Sequence, residues 1–446
     1  MLGFINSWFG PPANPIGVDF GSESLKMAQV QVTGGEHRLI AAASADVPSH
    51  ARTDPQARAA FFAHTARDLL AQGAFRGRAA VLALPAASMF IQHLRIPRLD
   101  DEATRKALVW EARGKLPIDP NHALMRHVVA GEIYEDQEPK NEIILMAAAR
   151  EMVNQFLGAA GRAKLDVVGM NVEPLAVVNC FAHVYRRKAD ADLTSCYVDI
   201  GAAGTRAFVA RGAQLLFARS IPVGGNHFAR ATAAALGVNI EDAKLMRMRL
   251  ASMQPSATDR EERHAVQPEA RAAAGADVDN SFALLGAGLA AAEKRAGAGT
   301  AVAPAAKAAA AGRPRGATMT VEEELARVDV ACQEPLAKLI DELDLCRRYY
   351  EATFPQKPVD RLIFIGGEAR NRALCQRIAQ QMGLAAQVGD PLVRMGRTTD
   401  VGVESGIDRR QPQPGWTVAI GLSLGPLAGG VVGGGGGGSD TPATGR

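Results

Sequence analysis

The stretch that decides the fold is IGVDFGSESLK, residues 16–26. Its apolar start predicts a buried strand that carries Asp19 to its end, and Gly21 lets the backbone bend where a Cβ would clash. Ser22 and Ser24 then offer hydroxyl and backbone N–H groups to an anion. Taken alone, the pattern is equally typical of a common hairpin turn.

A second copy of this pattern, YVDIGAAGT, lies at residues 197–205. It repeats the order of apolar strand, aspartate (Asp199), apolar residue, glycine (Gly201) and then small or hydroxyl residues. Strand-like residues follow each copy, at 26–32 and at 207–210. Two such hairpins indicate a duplicated domain whose halves face each other across a cleft.

A third glycine turn follows in LIFIGGE, residues 362–368. An apolar strand ends there in Gly366 and Gly367 before a predicted helix, which suits the close approach of a ligand to the backbone. The three turns, in this order, resemble the two phosphate hairpins and the adenosine turn of the actin-like ATPase superfamily. Three unrelated strand turns are the alternative, but the ordered set favours nucleotide binding.

The composition limits the class of protein. A chain of 446 residues is too long for one core, so two or more domains are expected. The formal charge of +3, without a basic run, gives no indication of nucleic-acid binding. The five cysteines show no CxxC spacing, which predicts reduced core thiols in the cytosol. No apolar run is long enough to predict a membrane span.

Four local phrases narrow the resemblance: WEA followed by LPID (110–119), AAAREMV (147–153), GMNVEPLA (169–176) and RSIPVGGN (219–226). They resemble the PilM family of type IV pilus assembly proteins, an FtsA-like branch of the actin-like superfamily. The resemblance covers about 16–250 and 320–428, which is nearly all of the predicted globular mass. FtsA shares the glycine hairpins and an inserted module but fewer of these phrases.

The resemblance implies an α/β, actin-like fold, a duplicated ribonuclease-H-like arrangement with two lobes around a nucleotide cleft. Residues 252–317 contain mainly Ala, Gly, Pro and charged residues, and cannot bury enough surface to offset the entropy of ordering. The predicted parts are an N-terminal segment (1–15), a first lobe (16–85 and 151–185), an inserted subdomain (86–150), a second lobe (186–251 and 318–428), a flexible insertion (252–317) and a disordered glycine-rich tail (429–446).

Within this fold the resemblance implies ATP with Mg²⁺ as the cofactor. Asp19 and Asp199 would hold the waters of Mg²⁺, a hard cation that prefers oxygen ligands. Lys26 would reach a phosphate or lie on the strand surface, and Arg206 would contact a phosphate or face solvent. The phosphates would be clamped by backbone groups and a hydroxyl of the two turns: Gly21, Ser22, Gly201, Ala203 and Thr205.

For other candidate site residues, the sequence allows a structural interpretation beside the functional one. Glu173 would position the attacking water or complete the cation's shell, or it is an acid favoured at a helix N-terminus. Gly224 and Gly225 precede a predicted helix (228–236) and would support a phosphate or ribose. Glu241 and Lys244 would flank the adenosine, or they lie on a solvated helix face. Glu368 stands where the family often has a third glycine, so the adenine pocket is expected to be less open.

The resemblance also implies partners and a location. A PilM-like protein would bind the cytoplasmic N-terminal tail of PilN, an inner-membrane protein, with residues 86–134 as the expected groove region. Pilus motor ATPases and a homo-oligomer are further implied partners, and membrane association would be indirect. The expected location is the cytoplasm at the inner face of the inner membrane. ATP turnover would be slow or absent.

Two other functions stay open at the level of sequence. An FtsA-like membrane-associated filament protein would need a C-terminal amphipathic helix, and the glycine-rich tail argues against one. A phosphotransferase of the same superfamily would need a carboxylate aimed at a substrate hydroxyl, a role for Asp199, but no sugar-binding set is visible.

Overall fold

The computed structural model describes residues 13–185, 190, 192–253, 320–396, 401 and 405–425. The predictions for residues 1–12, 254–317 and 429–446 therefore fall outside the described residues. Within the described ranges, no helix combines the length and the apolar character that a membrane crossing requires. The described chain alternates strands and helices, as the sequence predicts.

The elements follow in chain order, given by their bounds. The strands are β1 (Ile16–Phe20), β2 (Ser24–Thr33), β3 (Glu36–Asp46), β4 (Ala79–Ala83), β5 (Phe90–Pro97), β6 (Ala123–Glu135), β7 (Glu138–Ala149), β8 (Asp166–Asn171), β9 (Thr194–Ile200), β10 (Thr205–Arg211), β11 (Gln214–Ile221), β12 (Arg361–Ile365) and β13 (Ala385–Val388). The helices are α1 (Ser49–Thr53), α2 (Pro55–Gln72), α3 (Asp101–Glu111), α4 (Arg150–Arg162), α5 (Glu173–Ala182), α6 (Gly225–Leu236), α7 (Ile240–Met253), α8 (Val321–Ala331), α9 (Gln333–Thr353), α10 (Arg372–Met382) and α11 (Thr417–Leu424).

Two five-stranded sheets have the same internal order. The first runs β3-β2-β1-β4-β8 and the second β11-β10-β9-β12-β13. In each, an antiparallel three-stranded unit continues into parallel strands across the central strand, β1 or β9. This equivalence confirms the predicted duplication, since β1 and β9 are the strands that carry Asp19 and Asp199 to the cleft.

The inserted module is a three-stranded antiparallel sheet, ordered β5-β7-β6. Apolar side chains of its strands pack against α3, with Leu94, Leu108 and Leu145 buried among them. The residue before a proline disfavours helical backbone, so the sequence predicts that this helix continues to Leu116, before Pro117, but α3 ends at Glu111. Non-helical turns follow because Gly114 adopts a left-handed backbone conformation (φ 75°), which ends the helical path.

The module is joined to the second lobe through the buried carboxylate of Glu142. This carboxylate contacts His93 Nδ1 at 2.9 Å and accepts hydrogen bonds from the Tyr349 hydroxyl at 3.0 Å and Arg95 Nε at 3.2 Å. His93 Nε2 also lies 3.2 Å from the carbonyl oxygen of Ala218 on β11. Burial opposes ionisation of Glu142, but these donors outweigh it and lower its pKa.

The end of the described chain returns to the first lobe. Helix α11 packs against β1 and α5, and its Ser423 hydroxyl donates to the Pro15 carbonyl at 2.8 Å while accepting from Val30 N–H at 2.9 Å. The sequence assigned all of 318–428 to the second lobe, and the packing of residues 417–424 differs from that assignment. We propose that the first lobe includes this helix; the other predicted boundaries stay predictions, except that α7 continues to Met253, past the predicted boundary at 251.

Two finer sequence expectations agree with the structure. All five cysteines are buried and free, as predicted for reduced core thiols: Cys180, Cys196, Cys332, Cys346 and Cys375. Pro335 begins a new helix rather than kinking one, because it lies in the first turn of α9, where a missing N–H costs nothing.

Candidate functional site

A cavity of about 610 Å³ lies between the two lobes, at the ends of β1, β9 and β12. The β1–β2 turn forms one wall, the β9–β10 turn the opposite wall, and the turn after β12 closes the side between them. Most of the residues predicted from the sequence line it: Asp19, Gly21, Ser22, Ser24, Lys26, Glu173, Asp199, Gly201, Ala203, Thr205, Gly366 and Gly367.

The two hairpins place a basic residue directly across from each aspartate. Asp19 on β1 is the register partner of Lys26 on β2, and Asp199 on β9 is the register partner of Arg206 on β10. Both acids and both bases line the cavity. The duplication therefore includes the charges of the cleft floor as well as the glycine turns.

Arg206 holds two carboxylates together at this floor. Its Nη2 lies 2.8 Å and its Nε 3.2 Å from Asp199 Oδ2, and the same Nε lies 3.0 Å from Glu173 Oε2. Burial raises the pKa of Glu173 to about 8, with Arg206 opposing the shift and Asp199 adding to it. Burial lowers the pKa of Arg206, but the two carboxylates outweigh that effect and raise it. Arg206 therefore contacts two carboxylates of the protein, which neither of its sequence-based alternatives, a phosphate contact or a solvent-facing side chain, had anticipated.

The first hairpin carries a looser pair. Burial raises the pKa of Asp19, and the charge of Lys26 is the largest opposing influence. Burial likewise lowers the pKa of Lys26, against the attraction of Asp19. Burial therefore disfavours the charged form of both members of this pair.

The third turn rests on the second hairpin. Gly366 has a left-handed backbone conformation (φ 87°), and a Cβ there would clash with Asp199 Oδ1 and lie 2.7 Å from the Ile200 carbonyl oxygen. Its N–H donates to the Pro414 carbonyl at 3.1 Å. Glycine is required at this position because the backbone passes directly over Asp199.

Two of the predicted phosphate donors are already engaged. The Gly201 N–H donates to the Gly204 carbonyl at 3.0 Å and so closes the turn. This N–H is therefore not a free donor for a phosphate, as the sequence had predicted it to be. The Thr205 hydroxyl donates to the Val223 carbonyl at 2.7 Å. The turn positions Gly21, Ser22 and Ala203 remain the candidates for backbone contact with an anion.

Four predicted residues lie outside the cavity, all on the side expected to hold adenosine: Gly224, Gly225, Glu241 and Lys244. Glu368 covers Gly225 so closely that a Cβ on this glycine would meet its carboxylate. Arg247 Nη2 donates to Glu368 Oε2 at 2.8 Å, and the Arg247 guanidinium lies over the Phe228 ring. Arg247 thus holds Glu368 at the turn after β12, and the less open adenine pocket expected from this glutamate stays a prediction.

Glu241 and Lys244 join an ionic latch across the mouth of the cleft, formed with Glu23 and Arg52 of the first lobe. Lys244 Nζ lies 2.8 Å from Glu23 Oε1, Arg52 Nη1 lies 2.7 Å from Glu241 Oε1, and Arg52 Nη1 lies 3.2 Å from Glu23 Oε2. Glu241 keeps a largely exposed side chain while both residues pair with the first lobe, and their adenosine-flanking role stays a prediction.

Sequence reasoning missed Arg58, which also lines the cavity. From the first turns of α2 it donates to the Gly21 carbonyl at 2.6 Å and lies over the Phe20 ring at 4.3 Å. Arg58 thus fixes the first glycine turn. The available signal was a basic residue in the first turn of the helix α2, close in sequence to the first hairpin. The apolar spacing of this helix predicts the helix itself but says nothing about the contact of Arg58 with the turn.

The predicted Mg²⁺ does not fit this arrangement. Mg²⁺ demands near-octahedral oxygen ligands and keeps several waters, but Asp199 Oδ2 and Glu173 Oε2 already bind the guanidinium of Arg206. Among the residues that the structure describes, no three His, Cys, Asp or Glu side chains form a group suited to a metal ion. A dication beside Arg206 would also face like-charge repulsion.

The comparisons with known proteins agree with this architecture. The family model for the type IV pilus assembly protein PilM matches residues 17–255, more than half of the chain. This chain belongs to the PilM family. The family model for the cell division protein FtsA also matches, over residues 196–407. No curated protein sequence gave a match.

Solved structures are also similar to this PilM-family chain, and the first of them shares its fold. The PilM–PilN type IV pilus biogenesis complex has 19% identity and a TM-score of 0.63, over 92% of this chain and 98% of that one. EutJ from Carboxydothermus hydrogenoformans has 13% identity and a TM-score of 0.45, over 93% and 90%. MreB5 of Spiroplasma citri bound to ADP has 11% identity and a TM-score of 0.41, over 92% and 94%.

A second cavity of this PilM-family chain, about 800 Å³, lies between the inserted module and the first lobe. One wall is the segment before β6, with Ile118 and His122, and the other is the start of α4, with Glu151 and Asn154. Gln155 lines both this cavity and the interlobe cavity. Helix α4 is therefore a wall common to the two sites.

Proposed function

We propose that this chain is an ATP-binding, actin-like scaffold of the type IV pilus inner-membrane assembly complex. The observation that carries the proposal is the pair of equivalent hairpins facing one cavity, with the turn after β12 between them. Its volume of about 610 Å³ lies in the range of small-molecule sites. The predicted Mg²⁺ is not part of the proposal, because Arg206 engages Asp199, one of the two carboxylates predicted to hold it, together with Glu173.

In this proposal the phosphates lie between the two glycine turns. Ser22 and Ser24 contribute hydroxyls from the first lobe, Ala203 contributes backbone from the second, and Lys26 contributes charge at the floor. The base enters on the side of Gly367, where the Arg247–Glu368 pair lies against the turn. Opening of that pair, with Glu241 and Lys244 beside it, would admit the base.

A charge placed in the second turn tests the nucleotide site. Ala203 is exposed and lines the cavity, so a longer side chain is tolerated there by the fold. Ala203→Asp should weaken ATP binding about tenfold or more in calorimetry, whereas Ala203→Lys at the same position should preserve or strengthen it. Equal affinities in both variants would place ATP elsewhere.

We propose that the second cavity, between the inserted module and α4, is the binding site for the protein partner. The PilM–PilN complex is the similar solved structure, and we propose that a PilN-like cytoplasmic tail binds between the inserted module and α4. The exposed carboxylates of Asp119 and Glu151 at the rim suit a basic tail. We propose that the chain lies in the cytoplasm at the inner face of the inner membrane, with its membrane association through the partner. Pilus motor ATPases and a homo-oligomer are further proposed contacts.

The common wall links the two sites. A nucleotide that closes the lobes shifts α4 between two positions, and the tail then binds one of them better, which is a population shift. Gln155, present in both cavities, is the residue through which we expect the linkage. The expected observable is a change in tail affinity when ATP is added.

Filling the second cavity tests the partner site. Asn154→Trp on the exposed cavity face of α4 should reduce binding of a synthetic PilN-tail peptide at least about tenfold. Leu157→Trp, on the same helix but outside both cavities, is the matched control and should bind as the wild type does. Loss in both variants, or in neither, would contradict the groove assignment.

The proposed turnover is slow or absent. A general base must accept a proton at the reacting atom, but Glu173 holds Arg206, and burial raises its pKa to about 8. Asp199 is engaged by the same guanidinium, which weighs equally against a phosphotransferase. The FtsA-like filament alternative depends on the tail beyond the described residues.

A further inference from the structure

The second hairpin carries its own cation at the place where the resemblance expects a hydrated metal. Arg206 joins Asp199, on the second lobe, to Glu173, at the start of α5, through contacts of 2.8 and 3.0 Å. These carboxylates are almost fully buried, with 5% and 9% of their side-chain surfaces exposed. The guanidinium is thus a fixed part of the cleft floor.

The charges of the floor balance without a metal. Three carboxylates, Asp19, Glu173 and Asp199, face two cations, Lys26 and Arg206. Burial raises the pKa of Glu173 to about 8, which reduces the negative charge that this carboxyl carries near neutral pH. Arg58, which donates to backbone carbonyls, adds positive charge to the same cavity. The floor therefore supplies cations of its own, and the negative charge that a dication would meet here comes mainly from the phosphates of the nucleotide.

The guanidinium also has the geometry to receive a phosphate. Its contacts with the two carboxylates use Nε and Nη2. A guanidinium carries five N–H donors in a planar fork, and Arg binds phosphate oxygens in this way without a metal. Nη1 is the nitrogen with donors left for a ligand in the cavity that Arg206 lines.

We propose that the cleft binds nucleoside phosphates without a divalent cation, with Arg206 in the place of the metal and Lys26 as the second charge on the phosphates. The proposal rests on the proposed function, because it concerns the same cleft. It makes Arg206 a ligand-binding residue that determines which form of the nucleotide is bound: the metal-free form as well as, or in preference to, the magnesium complex.

Calorimetric titration of the full chain with ATP, once with magnesium and once with excess EDTA, tests the proposal. The wild type should bind ATP in EDTA with an affinity within about threefold of that in magnesium, or tighter. Arg206→Ser should lose at least about tenfold in EDTA and should gain affinity when magnesium is restored, because Asp199 becomes free for a hydrated metal.

Two further variants guard against a general loss of structure. Arg206→Lys keeps a positive charge without the fork, so it should retain part of the metal-free affinity. Arg211→Ser on the same strand removes an arginine that pairs with Asp192 outside the cavity, and it should bind as the wild type does. Thermal unfolding of each variant reports whether the fold is kept.

The outcomes separate the two proposals. ATP binding by the wild type only in magnesium would overturn the role of Arg206 and leave the nucleotide site standing. Absence of binding in both conditions would overturn the nucleotide site and the role of Arg206 with it. Binding in EDTA that Arg206→Ser and Arg206→Lys leave unchanged would also overturn the role of Arg206.

Discussion

The two hairpins of the cleft share a pattern and a register, but they differ in how firmly each aspartate is held. Asp19 faces Lys26, a flexible amine whose pKa burial lowers. Asp199 faces Arg206, a rigid fork that also binds Glu173. The duplication therefore determines the positions of the charged residues in the two hairpins. The choice of Lys or Arg at the basic position determines whether that side chain can change its conformation or lose its proton. The first hairpin can adapt to a ligand, and the second is already assembled.

The largest expected effect comes from removing the acid of each hairpin. Asp199→Asn removes one of the two carboxylates that pair with the buried guanidinium of Arg206, so the free energy of unfolding should fall by about 3 kcal/mol or more. Asp19→Asn should change it by less than about 1 kcal/mol, because Lys26 can lose its proton. Urea unfolding measures both. Equal losses would mean that the two pairs are held alike.

A smaller effect concerns the pH dependence of the second hairpin. The pKa of Glu173 is raised from 4.5 to about 8 in the folded chain, so between these values the folded state binds more protons than the unfolded one. Its contribution to stability is therefore full below pH 4.5 and is lost as the pH rises through about 8. Glu173→Gln should flatten this part of the curve of Tm against pH. A curve that keeps the wild-type slope would contradict the assignment.

The smallest effect concerns the ionic latch at the mouth of the cleft. Glu241→Ala with Lys244→Ala removes partly exposed ion pairs that are worth about 0–1 kcal/mol each, so ATP should leave a few times faster at low salt. High salt should abolish the difference by screening. Glu102→Ala with Lys106→Ala, an exposed pair in the inserted module, is the control and should leave the rate unchanged. A difference that persists at high salt would show that the latch acts by packing and not by charge.

The sequence predicted the sheets and the turns because their signals are local. Asp19 with Gly21, and Asp199 with Gly201, mark strand ends that any chain with this pattern would form. The position of the α11 helix was not predictable in the same way. Its contact with the first lobe depends on the meeting of Ser423 with Pro15 and Val30, far apart in sequence.

The charges of the site were only partly predictable. Asp19 and Lys26 are seven residues apart, and so are Asp199 and Arg206, so the equal spacing signalled that Arg206 faces Asp199. No such signal links Arg206 to Glu173 or Arg52 to Glu241, since these pairs form only when separate parts of the chain pack together. The end of α3 at Glu111 was not predicted, because Pro117 marks a later helix end in the sequence and the left-handed backbone of Gly114 is seen only in the structure.

Hydrogen–deuterium exchange with and without ATP tests most directly whether the two hairpins close on one ligand. The account predicts that ATP slows amide exchange together in residues 20–24, 201–205 and 366–367, in magnesium and in EDTA alike. Slower exchange in one hairpin alone, or only at a surface away from all three turns, would contradict it.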